Sequence, residues 1–318
     1  MPALITHHLF GEHSSALLPA GVIEDEEELL AFLLGNQGPD PFFFRFSGSP
    51  ADVRASHQIA HRMHDSRMTA AFQALRDGVS HLPEHDMGVG RAFALGMLSH
   101  YALDREAHPF VYAQQFALIE ANPELKDAGN EVHAVIESDI DSWMLWCMRR
   151  ATVHDCPPAS ELARTERICR VAGALTSQVA WSAFGIDLPA TEYGGAVANM
   201  ELVYRLIEPA GSARSRHIAA LERLARPHSQ MGALAHRVTT SEECPAANLG
   251  HEAWTNPFTG AVSHETFRER FEGALEGWPA LSLAFTRGGD DLREAVGGLN
   301  YSGVPLGSDE VCPPEKRG

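Results

Sequence analysis

The sequence predicts an all-α fold, and two observations about its pattern support this. Apolar residues recur at intervals of three and four over most of the chain, which is the period of an amphipathic helix. Alternation of apolar and polar residues over the length of a strand is absent, and no Asn-Gly or Asp-Gly turn signal lies beside such a run. With 318 residues, the chain is long enough to bury a sizeable core without disulfide bonds. We therefore expect a bundle of many helices.

Two helices are predicted in the first eighty residues. Residues 24–36, "EDEEELLAFLLGN", place acids in the first turn and leucines at helical spacing, and they end at Gly35 and Asn36. A loop, "NQGPDPFFF", follows. The segment from Ser49 opens with the helix start signal Ser-Pro-Ala-Asp. Its apolar residues recur at threes, fours and fives, so we expect one long helix over residues 49–79.

Similar patterns predict the later helices, which cover residues 87–106, 109–121, 126–152, 159–183, 194–208, 213–239 and 264–286. Residues 240–263 are rich in small residues, proline and glycine, and we expect either a linker or an ordered crossover there.

Composition excludes several classes of protein. The formal charge of −17 argues against a protein that binds the phosphate backbone of nucleic acid, because such binding depends on clustered Lys and Arg. Five widely spaced cysteines predict neither a disulfide framework nor a thiolate zinc site. No long apolar run and no leader-like N-terminus is visible, so we expect a soluble cytoplasmic protein.

Histidines are concentrated in the first part of the chain, and one stretch, "SHYALDREAHPF", spaces His100, Asp104 and His108 four residues apart. Four residues on a helix advance about 6 Å and about 40°, so His100 and Asp104 can reach the same metal ion. Pro109 disfavours helical geometry in the preceding residue, so we expect the helix to end near Glu106. His108 would then lie at a corner and serve a neighbouring ion.

A second pair with the same spacing occurs in "NEVHAVIESDIDSWMLW", where His133 and Glu137 are followed by Asp141. Apolar residues around these side chains predict that they border the core. A buried imidazole or carboxylate needs a partner, and a shared metal ion satisfies several at once. Two sets of histidines and acids at four-residue spacing thus occur within forty residues, and together they predict metal binding.

Two further features leave alternatives open. His57, His61 and His64 lie close together in the predicted long helix, and spacing alone does not choose a ligand among them. Asp40 is flanked by prolines beside three phenylalanines, and it is either a rigidly presented carboxylate or an ordinary turn residue.

Five segments together resemble the bacterial zinc-dependent phospholipase C family: "MPALITHHLFG", "GPDPFFF", "RMH", "GMLSHYALDREAHPFVY" and "HAVIESDIDSWML". The similarity is strong over residues 1 to about 150. Beyond them it is limited to helical character and to the patterns "W.NP" and "ETFRERFEGA", which are typical of the intracellular branch that lacks a signal peptide. It implies a phospholipase C-like bundle in which the metal cluster lies between core helices.

The resemblance also implies the ligands of two zinc ions. Asp104 would bridge these ions. Asp40, His64 and His100 would complete the site of one, and His7 would bind the other.

A third ion would be held by His108 together with His133 and Glu137. By the same analogy Asp40 would act as a metal ligand or as the general base, with Glu137 the second choice. We accordingly expect residues 1–150 to form a metal-binding helical core and residues 151–300 to add helices to the same single domain. We expect residues 301–318 to form an extended or disordered tail.

The function that the resemblance implies is hydrolysis of a phospholipid or related phosphodiester, by attack of a metal-bound hydroxide on phosphorus with two to three zinc ions. Peripheral membrane contact would accompany it, and neither a transmembrane segment nor a nucleic-acid partner is expected. One alternative is a zinc-dependent phosphodiesterase resembling a single-strand nuclease. The other is a helical protein that binds metal without catalysis.

Overall fold

Residues 4–307, which the computed structural model describes, form α-helices, short 3-10 helices and two very short strands. The helices are α1 Leu4–Ser15, α2 Glu26–Gly35, α3 Pro50–Asp65, α4 Met68–Ser80, α5 Met87–Ala121, α6 Gly129–Arg149, α7 Glu166–Phe184, α8 Glu192–Ile207, α9 Ala213–Glu222, α10 Gln230–Leu234, α11 Phe267–Arg287 and α12 Gly289–Val296. The strands β1 Trp254–Thr255 and β2 Val262–Ser263 pair antiparallel. The prediction of an all-α fold is confirmed.

Helix α5 passes through the middle of the molecule, and most of its residues between Val89 and Val111 are buried. Helices α2, α6 and α11 pack around it. Its contact with α2 is made by backbone, because a Cβ on Gly35 would lie 2.4 Å from the Phe93 carbonyl oxygen and one on Gly96 would lie 2.2 Å from that of Phe32. The two glycines therefore set how closely α2 approaches α5.

The expected end of a helix near Glu106 is wrong, because α5 continues through Pro109 to Ala121. Proline has no N–H group, so Arg105 loses the usual donor to its carbonyl oxygen. Two contacts lie beside this turn of the helix. Arg270 donates a hydrogen bond of 2.9 Å to the Glu106 carbonyl, and Gly303 packs against the Pro109 ring. Burial of the α5 residues before and after Pro109 thus outweighs the local preference of proline for ending the helix.

The single long helix expected over residues 49–79 is also wrong, because α3 ends at Asp65 and α4 begins at Met68. Arg67 has the left-handed φ of 59°. The step of five residues from Met63 to Met68 turns the apolar stripe about 140° around a straight helix. A change of direction between the two helices keeps both methionines buried.

Later boundaries differ in similar ways. The helix expected over residues 213–239 is divided into α9 and α10, because Pro227 disfavours helical geometry at Arg226. The start expected at residue 159 is a 3-10 helix, and α7 begins at Glu166. The sequence patterns missed α1 and α12.

Residues 240–263 form an ordered crossover, since the Gln114 side chain donates a hydrogen bond to the Ala246 carbonyl and Trp254 packs edge-on against Phe110. One hydrophobic core includes residues from both halves of the described chain. This common core favours a single domain, which stays a prediction. Of the expected tail, residues 301–307 are described and Tyr301 is buried, while residues 308–318 lie outside the described residues.

Between residues 4 and 307, none of the helices combines the length and the apolar composition needed to cross a membrane.

We predict that replacing Gly35 or Gly96 by Ala lowers the free energy of unfolding by about 1–3 kcal/mol, because the new methyl group must push α2 and α5 apart. Urea denaturation measures this effect. Gly273→Ala in α11 is the matched control: nothing lies within 4 Å of the added Cβ, and it should raise stability by up to about 1 kcal/mol. Equal stability of all three variants would contradict the close backbone contact.

Candidate metal centre

Three groups of side chains each bring potential ligand atoms within 4.8 Å of one another. They are His7, His100 and Asp104; Asp40, His64 and His100; and His108, His133 and Glu137. All eight residues inferred from the family resemblance therefore lie together, and His100 is common to two groups. Seven of them are buried, and His64 is partly exposed.

Asp104 lies between the first group and its neighbours. Its Oδ1 is 3.0 Å from His7 Nε2, and its Oδ2 is 3.1 Å from His100 Nε2. The rings of His7 and His100 are stacked, with centroids 3.9 Å apart. Asp104 thus presents its two oxygens to different histidines, as a bridging carboxylate does.

The second group joins a loop to two helices. His64 Nε2 lies 3.0 Å from Asp40 Oδ1, and His100 Nε2 lies 3.5 Å from Asp40 Oδ2. Asp40 opens the 3-10 helix Asp40–Phe44. Gly38 precedes it with a φ of 58°, and a Cβ there would lie 2.4 Å from the His100 ring. Only glycine therefore lets this loop lie directly on His100.

The third group combines the C-terminal half of α5 with α6. His108 Nε2 and His133 Nε2 lie 3.5 Å and 3.0 Å from Glu137 Oε1. His108 Nδ1 also lies 3.6 Å from Asp104 Oδ2, so the third group adjoins the first. His108 therefore falls in a different group from His100, as the sequence predicts. The physical reason expected for this is wrong, because α5 does not end before His108.

Four of the histidines use Nδ1 to contact an oxygen outside the cluster. His64, His100 and His108 contact the carbonyl oxygens of Ala60, Asn36 and Tyr301 at 2.7–2.9 Å, and His133 contacts Gln115 Oε1 at 2.8 Å. A neutral imidazole that donates from Nδ1 carries its lone pair on Nε2. These outer contacts therefore aim Nε2 at the cluster, which is the usual arrangement of metal-binding histidines.

Several buried atoms in the groups lack a hydrogen bond in spite of their close neighbours. They include both carboxylate oxygens of Asp40, His100 Nε2 and Glu137 Oε2. A buried polar atom without a partner costs free energy, and such atoms are few in native proteins. The unpartnered atoms, together with the nitrogen and oxygen donor set, fit divalent cations such as zinc.

Electrostatics keep the carboxylates ionised. Burial raises the pKa of Asp104, but His108, His100 and His7 outweigh it and hold the pKa well below the ordinary value. Burial lowers the pKa of His108, and Asp104 with Glu137 reverses this and raises it to about 9. The carboxylates are therefore available as negatively charged ligands.

The N-terminus of α1, which carries His7, is held by Asp141. Its carboxylate accepts hydrogen bonds of 2.8 Å from the backbone N–H groups of Ile5 and Thr6. His236 lies between Asp141, at 3.0 Å, and Glu208, at 2.6 Å. Burial lowers the pKa of His236, and these two carboxylates outweigh it and raise the pKa to about 10. Asp141 thus fixes the helix that carries a candidate ligand without joining the ligand groups.

A cleft of about 400 Å³ opens beside the second and third groups and is lined in part by His64, His108 and His133. Phe43 and Tyr112 form an aromatic part of its wall. A smaller gap of about 20 Å³ lies among the candidate ligands of the first and third groups, which is room for about one water molecule or small ion. The cleft connects the candidate metal groups with the surface.

The three clustered histidines of α3 have different surroundings. His64 belongs to the second group, whereas His57 Nε2 contacts the Arg45 carbonyl at 2.8 Å and His61 packs edge-on against Phe43. Sequence patterns did not identify Gln115 as a partner of His133, since nothing in its own spacing indicates that contact.

The fold and these groups define a class: helical proteins with adjoining histidine and carboxylate sets that could each hold a metal ion. Residues 6–167 match the family described as zinc dependent phospholipase C, which covers just over half of the chain. The chain therefore belongs to the zinc-dependent phospholipase C family. Neither a curated protein nor a solved structure matches it. Membership of an intracellular branch stays a prediction.

We predict that Asp141→Ala lowers the free energy of unfolding by about 3–5 kcal/mol, because it leaves His236 and two buried N–H groups without their shared acceptor. Chemical denaturation measures this. Asp139→Ala removes only a partly exposed contact with Arg237 and should cost less than about 1 kcal/mol. A loss at Asp141 no larger than that at Asp139 would contradict the assigned role.

We also predict that Gln115→Leu weakens zinc binding by about 10–100-fold at one site, because His133 loses the acceptor that orients it. Titration of metal-free protein against a chromogenic chelator measures the affinity. Gln114→Leu, whose amide contacts Ala246 instead, is the control and should bind zinc as the unmodified protein does. Unchanged affinity in Gln115→Leu would refute this orienting contact.

Proposed function

We propose that the protein is a zinc-dependent phosphodiesterase that hydrolyses a phospholipid or a related phosphodiester. The observation that carries the proposal is that three groups of candidate ligands adjoin one another and that the second and third of them lie beside one cleft. Family membership supports the choice of zinc and of a phospholipid substrate.

Asp104 would be the ligand that two of the ions share. Asp40, His64 and His100 would complete the ligand set of one, and His7 would serve the other. The contacts of Asp104 with His7 and His100 through different oxygens support this assignment.

His108, His133 and Glu137 hold the third ion in this proposal. Their nitrogen and oxygen atoms lie 3.0–3.5 Å apart, close to the ligand separation of about 3.3 Å in a tetrahedral zinc site. Two to three zinc ions per chain are expected. When bound, zinc supplies a Lewis acid that neutralises the phosphate charge and makes water more acidic.

The side chains of the chain itself have two proposed roles. Asp40 is ionised, since burial raises its pKa but His100 and His64 outweigh this and lower it. It can therefore bind a cation or accept a proton from the attacking water, and Glu137 is the second candidate for the proton. The aromatic wall of Phe43 and Tyr112 excludes water from one side of the cleft and contacts apolar parts of the substrate.

Charge favours a small phosphodiester over nucleic acid as substrate. Among the described residues that line the cleft, Arg226 is the one arginine and lysine is absent. Binding of a single strand requires a groove of several positive charges, and the chain has a formal charge of −17.

The test combines metal analysis with turnover of a chromogenic phosphocholine ester. We predict two to three zinc ions per chain, loss of turnover with a chelator, recovery with zinc, and a decrease of at least about a hundredfold in Asp104→Asn because a bridging ligand is weakened. Asp187→Asn, at an exposed position, is the control and should keep full turnover.

Zinc-free protein, or turnover that neither the chelator nor Asp104→Asn reduces, would refute the proposal. Bound zinc without hydrolysis of any phosphodiester in a panel of lipids would favour a non-catalytic metal protein. Cleavage of single-stranded DNA without cleavage of lipids would favour the nuclease alternative.

A further inference from the structure

One surface segment has a charge opposite to that of the chain as a whole. Residues 213–228, which we term the basic segment, comprise α9 and the turn after it. They contain four arginines and a single acid, Glu222, and so carry a formal charge of +3 in a chain of −17. Such a local reversal creates a positive potential that attracts anionic surfaces.

Three of the four arginines of this segment are free to meet an external anion, whereas Arg226 forms ion pairs with Glu131 and Glu222. Arg214 and Arg216 donate hydrogen bonds to the backbone carbonyl oxygens of Glu208 and Gly211. Within the described part of the chain, no carboxylate lies within 4.0 Å of Arg214, Arg216 or Arg223 as an ion pair. Their charges are therefore not neutralised by the described neighbours.

Large apolar side chains project from the same segment. Leu221 is 59% exposed and Leu224 is 84% exposed. Arg214, His217 and Leu221 are spaced three and four residues apart and so share one face of α9. Exposed leucine beside arginine places an apolar group and a positive charge on the same surface, where they can contact the apolar and the anionic parts of a lipid interface.

An apolar groove of about 380 Å³ borders the basic segment, and Leu118, Leu125, Val132 and Val135 form much of its wall. Arg223 and His228 line its edge. The groove is next to the cleft, because Glu131 on its wall forms an ion pair with Arg226 on the cleft wall. The apolar groove, the basic segment and the cleft beside the candidate metal groups thus adjoin one another on one side of the molecule.

We propose that the basic segment docks the protein on an anionic phospholipid bilayer, with Leu221 and Leu224 in the interface and acyl chains in the apolar groove. The proposal rests on the proposed function insofar as the adjoining cleft is taken to receive the lipid phosphate. Charge complementarity selects an anionic surface, and the exposed leucines with the groove select lipid over an acidic protein.

The test measures sedimentation of the zinc-loaded full chain with vesicles of phosphatidylcholine alone and of phosphatidylcholine mixed with phosphatidylglycerol. We predict binding to the mixed vesicles that salt weakens, and little binding to the neutral ones. Arg216→Glu combined with Arg223→Glu should weaken binding to mixed vesicles by at least about tenfold.

The matched control combines Arg91→Glu with Arg293→Glu, which makes the same change of charge at exposed positions on other helices and should bind as the unmodified protein does. Leu224→Asn should also weaken binding, since it leaves the charge unchanged and removes the apolar contact.

Equal binding by the two double variants, or no preference for anionic vesicles, would overturn the proposal. Binding of an acidic peptide in place of the vesicles would overturn it in favour of a protein partner. Sedimentation requires no turnover, so a failed hydrolysis assay with intact vesicle binding refutes the proposed function and not the docking surface.

Discussion

The structure depends most on the contact of the buried Asp104 carboxylate with three imidazoles. Its oxygens lie 3.0–3.6 Å from nitrogens of His7, His100 and His108. An ionised carboxylate in the core is strongly destabilising unless positive charge compensates it, whether from a cation or from a protonated imidazole. His7 belongs to α1 and the other two histidines to α5. The site can therefore form only when α1 packs on α5.

Oxygens from distant parts of the chain hold these imidazoles. His100 contacts the carbonyl of Asn36 at the end of α2, and His108 contacts that of Tyr301 near the end of the described chain. Asp141 in α6 then fixes the start of α1. A side chain with several rotamers is ordered by such contacts before any ion binds, which lowers the entropy lost on binding. The second half of the chain therefore contributes to the site although the candidate ligands lie in the first.

Local features of the site could be predicted from the sequence, and long-range features could not. The pairs His100 with Asp104 and His133 with Glu137 depend only on the period of a helix, and the structure keeps both together. Pro109 misled the prediction because tertiary packing outweighed its local preference. The contact of Asp141 with α1 joins residues about 135 positions apart, and no spacing along the chain encodes such a contact. The choice of His64 over His61 came from the family resemblance, because spacing treats them alike.

Burial also determines from which side a substrate can approach. Asp40, His100 and Asp104 are at most 4% exposed, whereas His64, His108 and His133 line the cleft. The proposed phosphodiester substrate would therefore approach across His64 and the third group. Arg226 and Asn300 from the second half of the chain form part of that cleft. The second half of the chain also supplies the basic segment beside the cleft. An anionic lipid surface attracted to the basic segment would therefore face the cleft. In a chain of such negative charge, the position of a few arginines thus determines which face an anionic surface meets first.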